Sequence, residues 1–95
     1  MAAVHLPRSL VAIVPELPRR TEVEASDVGQ LIVELDRRWP GVRDRLIEPG
    51  PRIRSHINVF VDGERASLST SLRPTSSVHV IPSIAGGAGN AGRRS

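Results

Sequence analysis

The glycine-rich end of the chain is the first place where residue types and spacing could do chemistry. Residues 87–92 read GAGNAG, which satisfies the G-x-G-x-x-G pattern of dinucleotide-binding loops. In such loops a pyrophosphate sits at the N-terminus of a helix, so a helix and a further strand must follow the glycines. Only Arg93, Arg94 and Ser95 follow here. We therefore interpret the match as a coincidence of composition and predict no nucleotide site.

The other candidate groups predict no catalytic centre and no metal site of the chain's own. There is no cysteine, which excludes disulfides, thiolate metal sites and a cysteine nucleophile. His5, His56 and His79 lie far apart in the sequence without metal-ligand spacing, so each is expected to be a surface or strand-edge residue. Asp62 and Glu64 flank a tight turn, where acids usually favour the turn itself. No serine has a nucleophile-elbow setting.

Size and charge indicate one small domain. The 95 residues, 39% of them hydrophobic, allow a single modest core. Prolines interrupt the apolar start of the chain before it reaches the length of a signal-peptide core or a membrane span. We therefore expect a soluble cytoplasmic protein. All 13 basic residues are arginine; without the two at positions 93 and 94 the charge is 11 − 10, or +1. With one Trp, one Phe and no Tyr to stack on bases, nucleic-acid binding is poorly supported.

The predicted elements are two strands, a helix and three more strands. The first strands are "AVHL" and "TEVEA", joined by a proline-rich connection. In "SDVGQLIVELDRRWPG" Ser26 or Asp27 can cap a helix that Pro40 and Gly41 end. Its apolar residues fall at helical spacing and predict a core stripe: Val28, Leu31, Ile32, Leu35 and Trp39.

The second half of the chain predicts a hairpin and a closing strand. "VRDRLIEPGP" predicts a short helical turn followed by a loop. "HINVFVDGERASL" alternates around Asp62 and Gly63, a strong hairpin signal, and "SVHVIP" is the last strand. This order predicts an α+β fold with a small sheet on one main helix.

"HINVFVDGE" followed by "VHVIPSIAGG" resembles the MoaD/ThiS family of ubiquitin-like sulfur carrier proteins. "RLIEPGPRIRSHINVFVDGE" resembles the actinobacterial CysO-like carriers of cysteine biosynthesis. The resemblance implies a β-grasp fold with a mixed four- to five-stranded sheet packed on one main helix. It divides the chain into a domain at 1–81, an extended, flexible arm at 82–87 and a disordered, removable tail at 88–95.

The resemblance also implies a protein cosubstrate without catalytic groups or a permanently bound cofactor. A partner E1-like enzyme of MoeB or ThiF type would use ATP to adenylate the C-terminal glycine, Gly87, beside Gly86. A thiocarboxylate formed there would donate sulfur to a synthase in cysteine, cofactor or secondary-metabolite biosynthesis. Because the carbonyl group of Gly87 is in a peptide bond, a peptidase, such as one of the JAMM type, must first cut between Gly87 and Ala88.

The family's sheet order makes the hairpin strand and the last strand neighbours. If Ile57, Val59 and Val61 face the helix, alternation places other side chains outward near the arm. The expected partner-binding residues are Phe60, His79, Ile81, Pro82, Ile84 and Ala85. Two alternatives remain: a β-grasp binding module with a disordered tail, and a small nucleic-acid-binding protein.

Overall fold

Five strands form the main sheet, and one long helix covers one of its faces. A computed structural model describes residues 1–83. The elements are β1 (Ala2–His5), α1 (Arg8–Val11), β2 (Arg20–Val23), α2 (Val28–Arg38), α3 (Val42–Leu46), β3 (Ile47–Glu48), β4 (Arg52–Ile53), β5 (Ile57–Val61), β6 (Glu64–Arg65) and β7 (Ser77–Pro82). The sheet order is β2-β1-β7-β5-β6, with β1 and β7 parallel and the other neighbours antiparallel. The predicted mixed sheet on one main helix is confirmed.

Helix α2 forms because its apolar residues recur at the helical period and can be buried together. Val28, Leu31, Ile32 and Leu35 are at most 1% exposed, and Trp39 packs half-buried against the same core. From the sheet, buried residues of β1, β2, β5 and β7 meet this stripe: Ala2, Val4, Val23, Val59, Val61, Val78 and Val80. The core therefore lies between α2 and one face of the sheet, and the predicted apolar stripe is confirmed.

Local hydrogen bonds fix both ends of α2. Asp27 is the N-cap: its Oδ1 accepts a 2.7 Å hydrogen bond from the N–H of Gln30, whose side-chain oxygen accepts from the N–H of Ser26 at 2.6 Å. At the other end, Gly41 adopts a φ of +108°, which permits the sharp turn into α3. Asp36 Oδ1 accepts hydrogen bonds from the backbone N–H groups of Gly41 and Arg43, so the two helices are held together.

The β5–β6 hairpin confirms the signal at Asp62 and Gly63. Both residues have positive φ, 51° and 85°, as a two-residue type I′ turn requires. Asp62 also anchors the turn to the last strand, because its N–H donates to the carbonyl of Ser77 and its Oδ1 accepts from the N–H of Ser77, each at 2.9 Å. The hydrogen bond that its carboxylate accepts from Ser77 lowers the pKa of Asp62 below its usual value. Its role here is to hold the turn.

Two short structures differ from the sequence prediction. The proline-rich connection contains α1, which buries Leu10 in the core. The prediction of a loop after α3 is wrong, since β3 and β4 form a second, two-stranded sheet there. Ile47 pairs with Ile53, and Glu48 bonds to Arg52 at 2.8 Å across it. Two-residue strands are too short to show alternation in the sequence.

The last strand continues past the expected start of the arm. Pro82 lies within β7 and is in register with Ile57 of β5. The next residue is also held, because the N–H of Ser83 donates a 2.7 Å hydrogen bond to the carbonyl of His56. The sheet therefore includes residue 82, whereas the sequence placed the domain boundary after residue 81.

Candidate functional site

Strands β5 and β7 expose a set of side chains on the face of the sheet that α2 does not cover. Val59 and Val80 are buried and opposite each other, and Phe60 is opposite His79 on the other face. Phe60 is half-buried but is not among the side chains packed on the core of residues 1–83. Ile81 is 44% exposed and lies opposite Asn58. The predicted outward placement of Phe60, His79 and Ile81 is therefore confirmed; their contact with a partner remains a prediction.

The outward face also contains residues that the sequence did not single out. Strand pairing places one residue from each strand side by side, which we call the cross-sheet row: Arg20 (β2), His5 (β1), His79 (β7), Phe60 (β5) and Arg65 (β6). Within the row, the rings of His5 and His79 stack with centroids 4.2 Å apart and planes 3° from parallel. The sequence did not predict that two of the three histidines meet across the sheet.

The electrostatics of the cross-sheet row depend on its imidazoles and guanidinium groups. Burial lowers the pKa of His5, and the neighbouring charges of His79 and Arg20 lower it further. Arg20 is 3.7 Å from the carboxylate of Glu22 on the same edge strand, and both side chains are more than half exposed. Such an exposed pair contributes little to folding stability. Breaking this pair so that the guanidinium of Arg20 can bind a partner would therefore cost little folding stability.

The base of the arm lies at the C-terminal end of β7. A groove of about 370 Å³ opens there, with Leu10, Ile13, Ile57 and Pro82 among its lining residues. Ile13 is 52% exposed at this groove. The predicted activated residues Gly86 and Gly87, the partner-binding residues Ile84 and Ala85, and the cleavage residue Ala88 lie outside the described residues.

Within residues 1–83 there is no group of three or more His, Cys, Asp or Glu side chains placed to hold a metal ion. No helix in that range has both the length and the apolar character needed to cross a membrane. The carboxylates of Asp62 and Glu64 belong to the β5–β6 hairpin described above.

Comparison with known proteins identifies the family and the sequence relatives of this chain. A ThiS family model matches residues 8–87. The chain is 29% identical over 66 residues to the sulfur carrier protein CysO of Mycobacterium tuberculosis, which covers 63% of this chain and 71% of that protein. It is 33% identical over 64 residues to small archaeal modifier protein 3 of Haloferax volcanii, covering 63% and 68%.

Solved structures share the fold. A chain of the Amycolatopsis orientalis BexX/CysO complex superposes with a TM-score of 0.80 at 21% identity, covering 92% of this chain and 100% of that one. Mycobacterium tuberculosis CysO gives 0.79 at 19% identity, covering 88% and 100%. At these identities the likeness concerns the fold, which is the β-grasp. The family match covers most of the chain, and the chain therefore belongs to the ThiS family of ubiquitin-like sulfur carrier proteins.

Proposed function

We propose that the protein carries sulfur on the C-terminal carboxylate of Gly87 after the peptide bond between Gly87 and Ala88 has been hydrolysed. The observation that carries this proposal is that the ThiS family match ends at Gly87, the second residue of the Gly-Gly pair. The eight residues after it have no counterpart in the matched region. A JAMM-type peptidase is the class of enzyme proposed to remove them.

The chemistry then takes place in a partner's active site. An E1-like adenylyltransferase would catalyse attack of the Gly87 carboxylate on the α-phosphate of ATP, forming an acyl-adenylate and releasing pyrophosphate. A hydrosulfide ion would attack the acyl carbon and displace AMP, which leaves a thiocarboxylate that a biosynthetic synthase accepts. ATP is the partner's substrate, and the site of action is the cytoplasm. The carrier contributes an activatable carboxylate and the surface by which partners hold it.

The geometry supports this division of roles. Hydrogen bonds hold the chain as far as Ser83, and the sequence puts four residues, 84–87, between Ser83 and the end of the proposed reactive segment. Four residues span at most about 13 Å at roughly 3.3 Å each. Glycine suits the end of such a segment because it has no Cβ to obstruct a narrow channel or close approach to a nucleotide. Phe60, His79 and Ile81, together with Pro82, would contact the partner outside that channel.

The test compares the full chain with a chain truncated after Gly87. We expect the E1-like enzyme encoded in the same genome to catalyse ATP–pyrophosphate exchange with the truncated chain and not with the full chain. Gly87→Val in the truncated chain should fold like its parent and support no exchange. Intact-mass spectrometry of protein from the native host should show an end at Gly87. Retention of Ser95 on every molecule in cells with active partner enzymes would contradict the proposal.

Similarity to small archaeal modifier protein 3 favours one second candidate function, conjugation of Gly87 to other proteins. The acyl group of the same adenylate would then be transferred to a lysine amine on a target, which forms an isopeptide bond and releases AMP. Because this chain contains no lysine, it offers no lysine amine on which such conjugates could grow into chains. Peptide mass spectrometry distinguishes the two roles: isopeptides from Gly87 on target lysines indicate a modifier, and a thiocarboxylate mass on the free protein indicates a carrier.

A further inference from the structure

The cross-sheet row has a charge pattern that a docking surface can use. Its centre consists of two stacked imidazoles and the ring of Phe60, and its ends carry the guanidinium groups of Arg20 and Arg65. Within the described residues, the ion pair of Arg20 is with the exposed Glu22, at 3.7 Å. Arg65 has no carboxylate within ion-pair distance among residues 1–83. The row is therefore apolar and aromatic in the middle and positively charged at both ends.

We propose that the cross-sheet row docks on an acidic surface of the activating enzyme, in which carboxylates flank an apolar side chain. This inference rests on the proposed function, because it describes how the adenylating partner holds the carrier. The apolar side chain would lie on Phe60 and the imidazoles, where contact removes apolar area from water. The carboxylates would meet the two arginines, which form strong paired hydrogen bonds with carboxylates.

The sheet geometry sets the dimensions of the partner's surface. Four strand spacings separate Arg20 from Arg65, so their backbones are about 19 Å apart at roughly 4.8 Å per spacing. Along β7, four residues lead from His79 to Ser83, a distance of about 13 Å. Residues 84–87 could add at most about another 13 Å. The partner's acidic surface should therefore lie within about 26 Å of the α-phosphate of its bound ATP.

The experiment reverses charge at the two ends of the row in the chain truncated after Gly87. Arg20→Glu and Arg65→Glu keep a charged residue on each edge strand, so protection against edge-to-edge association remains. Arg43→Glu is the matched control, since Arg43 is exposed on α3, which packs beside α2 away from the row. In ATP–pyrophosphate exchange we expect each row variant to raise the KM for the carrier about tenfold or more, with kcat nearly unchanged at saturation. The control should stay within about twofold of its parent.

A higher ionic strength should raise the KM of the parent more than that of either row variant. Salt screens the ion pairs between the row and the partner, and each variant has already lost one of these pairs. The proposal is overturned if the parent is active and both row variants keep its KM. If the parent is itself inactive, the proposed function fails, and the row is then tested alone. For this purpose the peptide acetyl-Asp-Glu-Leu-Glu-Asp-amide is titrated into ¹⁵N-labelled protein. Amide shifts centred on the row support the proposal, and their absence there overturns it.

Discussion

Truncation of Phe60 tests whether the outer face of the sheet serves docking or folding. Complete burial of a phenylalanine side chain is worth about 1.5–3 kcal/mol, and Phe60 is only half-buried, away from the core. We therefore expect Phe60→Ala to lower the free energy of unfolding by about 1–1.5 kcal/mol. In a domain of this size each kcal/mol lowers the Tm by about 4–8 °C. The KM for the carrier in ATP–pyrophosphate exchange should also rise, by a larger factor than partial unfolding of the variant could cause.

Leu35→Ala is the matched control for a true core position. Leu35 is 0% exposed on α2, so its truncation should cost about 2–5 kcal/mol. The fluorescence of Trp39, the only tryptophan, can be used to follow urea unfolding, because this side chain is half-buried against the core. A loss of 3 kcal/mol or more for Phe60→Ala would show that its ring supports the core, and would refute the assignment to the outer face. A modest loss with an unchanged KM would leave the face correct and remove its docking role.

Two further predictions concern stability. Asp27→Ala removes the N-cap bond of α2 and should cost about 1 kcal/mol in urea unfolding, while Asp27→Ser should recover most of it; equal stability of all three proteins would contradict the capping role. Because the pKa of His5 is lowered on folding, the folded state binds fewer protons than the unfolded state below about pH 6.5. The free energy of unfolding should therefore fall as the pH decreases through this range, and His5→Gln should flatten the fall. His56→Gln, on an exposed loop, is the control; an unchanged slope in His5→Gln would refute the inference.

The elements that could be predicted from the sequence are those with strong local signals. Helix α2 has an apolar stripe, a capping residue and a proline at its end. The β5–β6 hairpin has alternation around an Asp-Gly pair that tolerates positive φ. In both cases the information lies within a few residues of the element. Neither α1 nor the β3–β4 sheet has such a signal, since each consists of very few residues whose burial depends on the rest of the fold.

The cross-sheet row could be predicted only in part for a related reason. Alternation within single strands placed Phe60 and His79 outward, which local pattern can do. The stacking of His5 on His79 depends on the parallel pairing of the first and last strands, which come from opposite ends of the chain. Arg20 and Arg65 enter the row through two further pairings. A shift of one residue in any pairing would place different side chains in the row, and no local pattern fixes that register.

A docking face separate from the arm also follows from the energetics of the proposed reaction. Holding any four-residue segment in a single extended conformation costs about 4–8 kcal/mol of backbone entropy, at roughly 1–2 kcal/mol per residue. Glycine is at the upper end of that range because it has the most conformations to lose. Of residues 84–87 only Ile84 has a large apolar side chain that could offset this cost by burial. Binding free energy must therefore come largely from other parts of the carrier, and in the cross-sheet row strand pairing already fixes the backbones of Phe60, the two histidines and the two arginines.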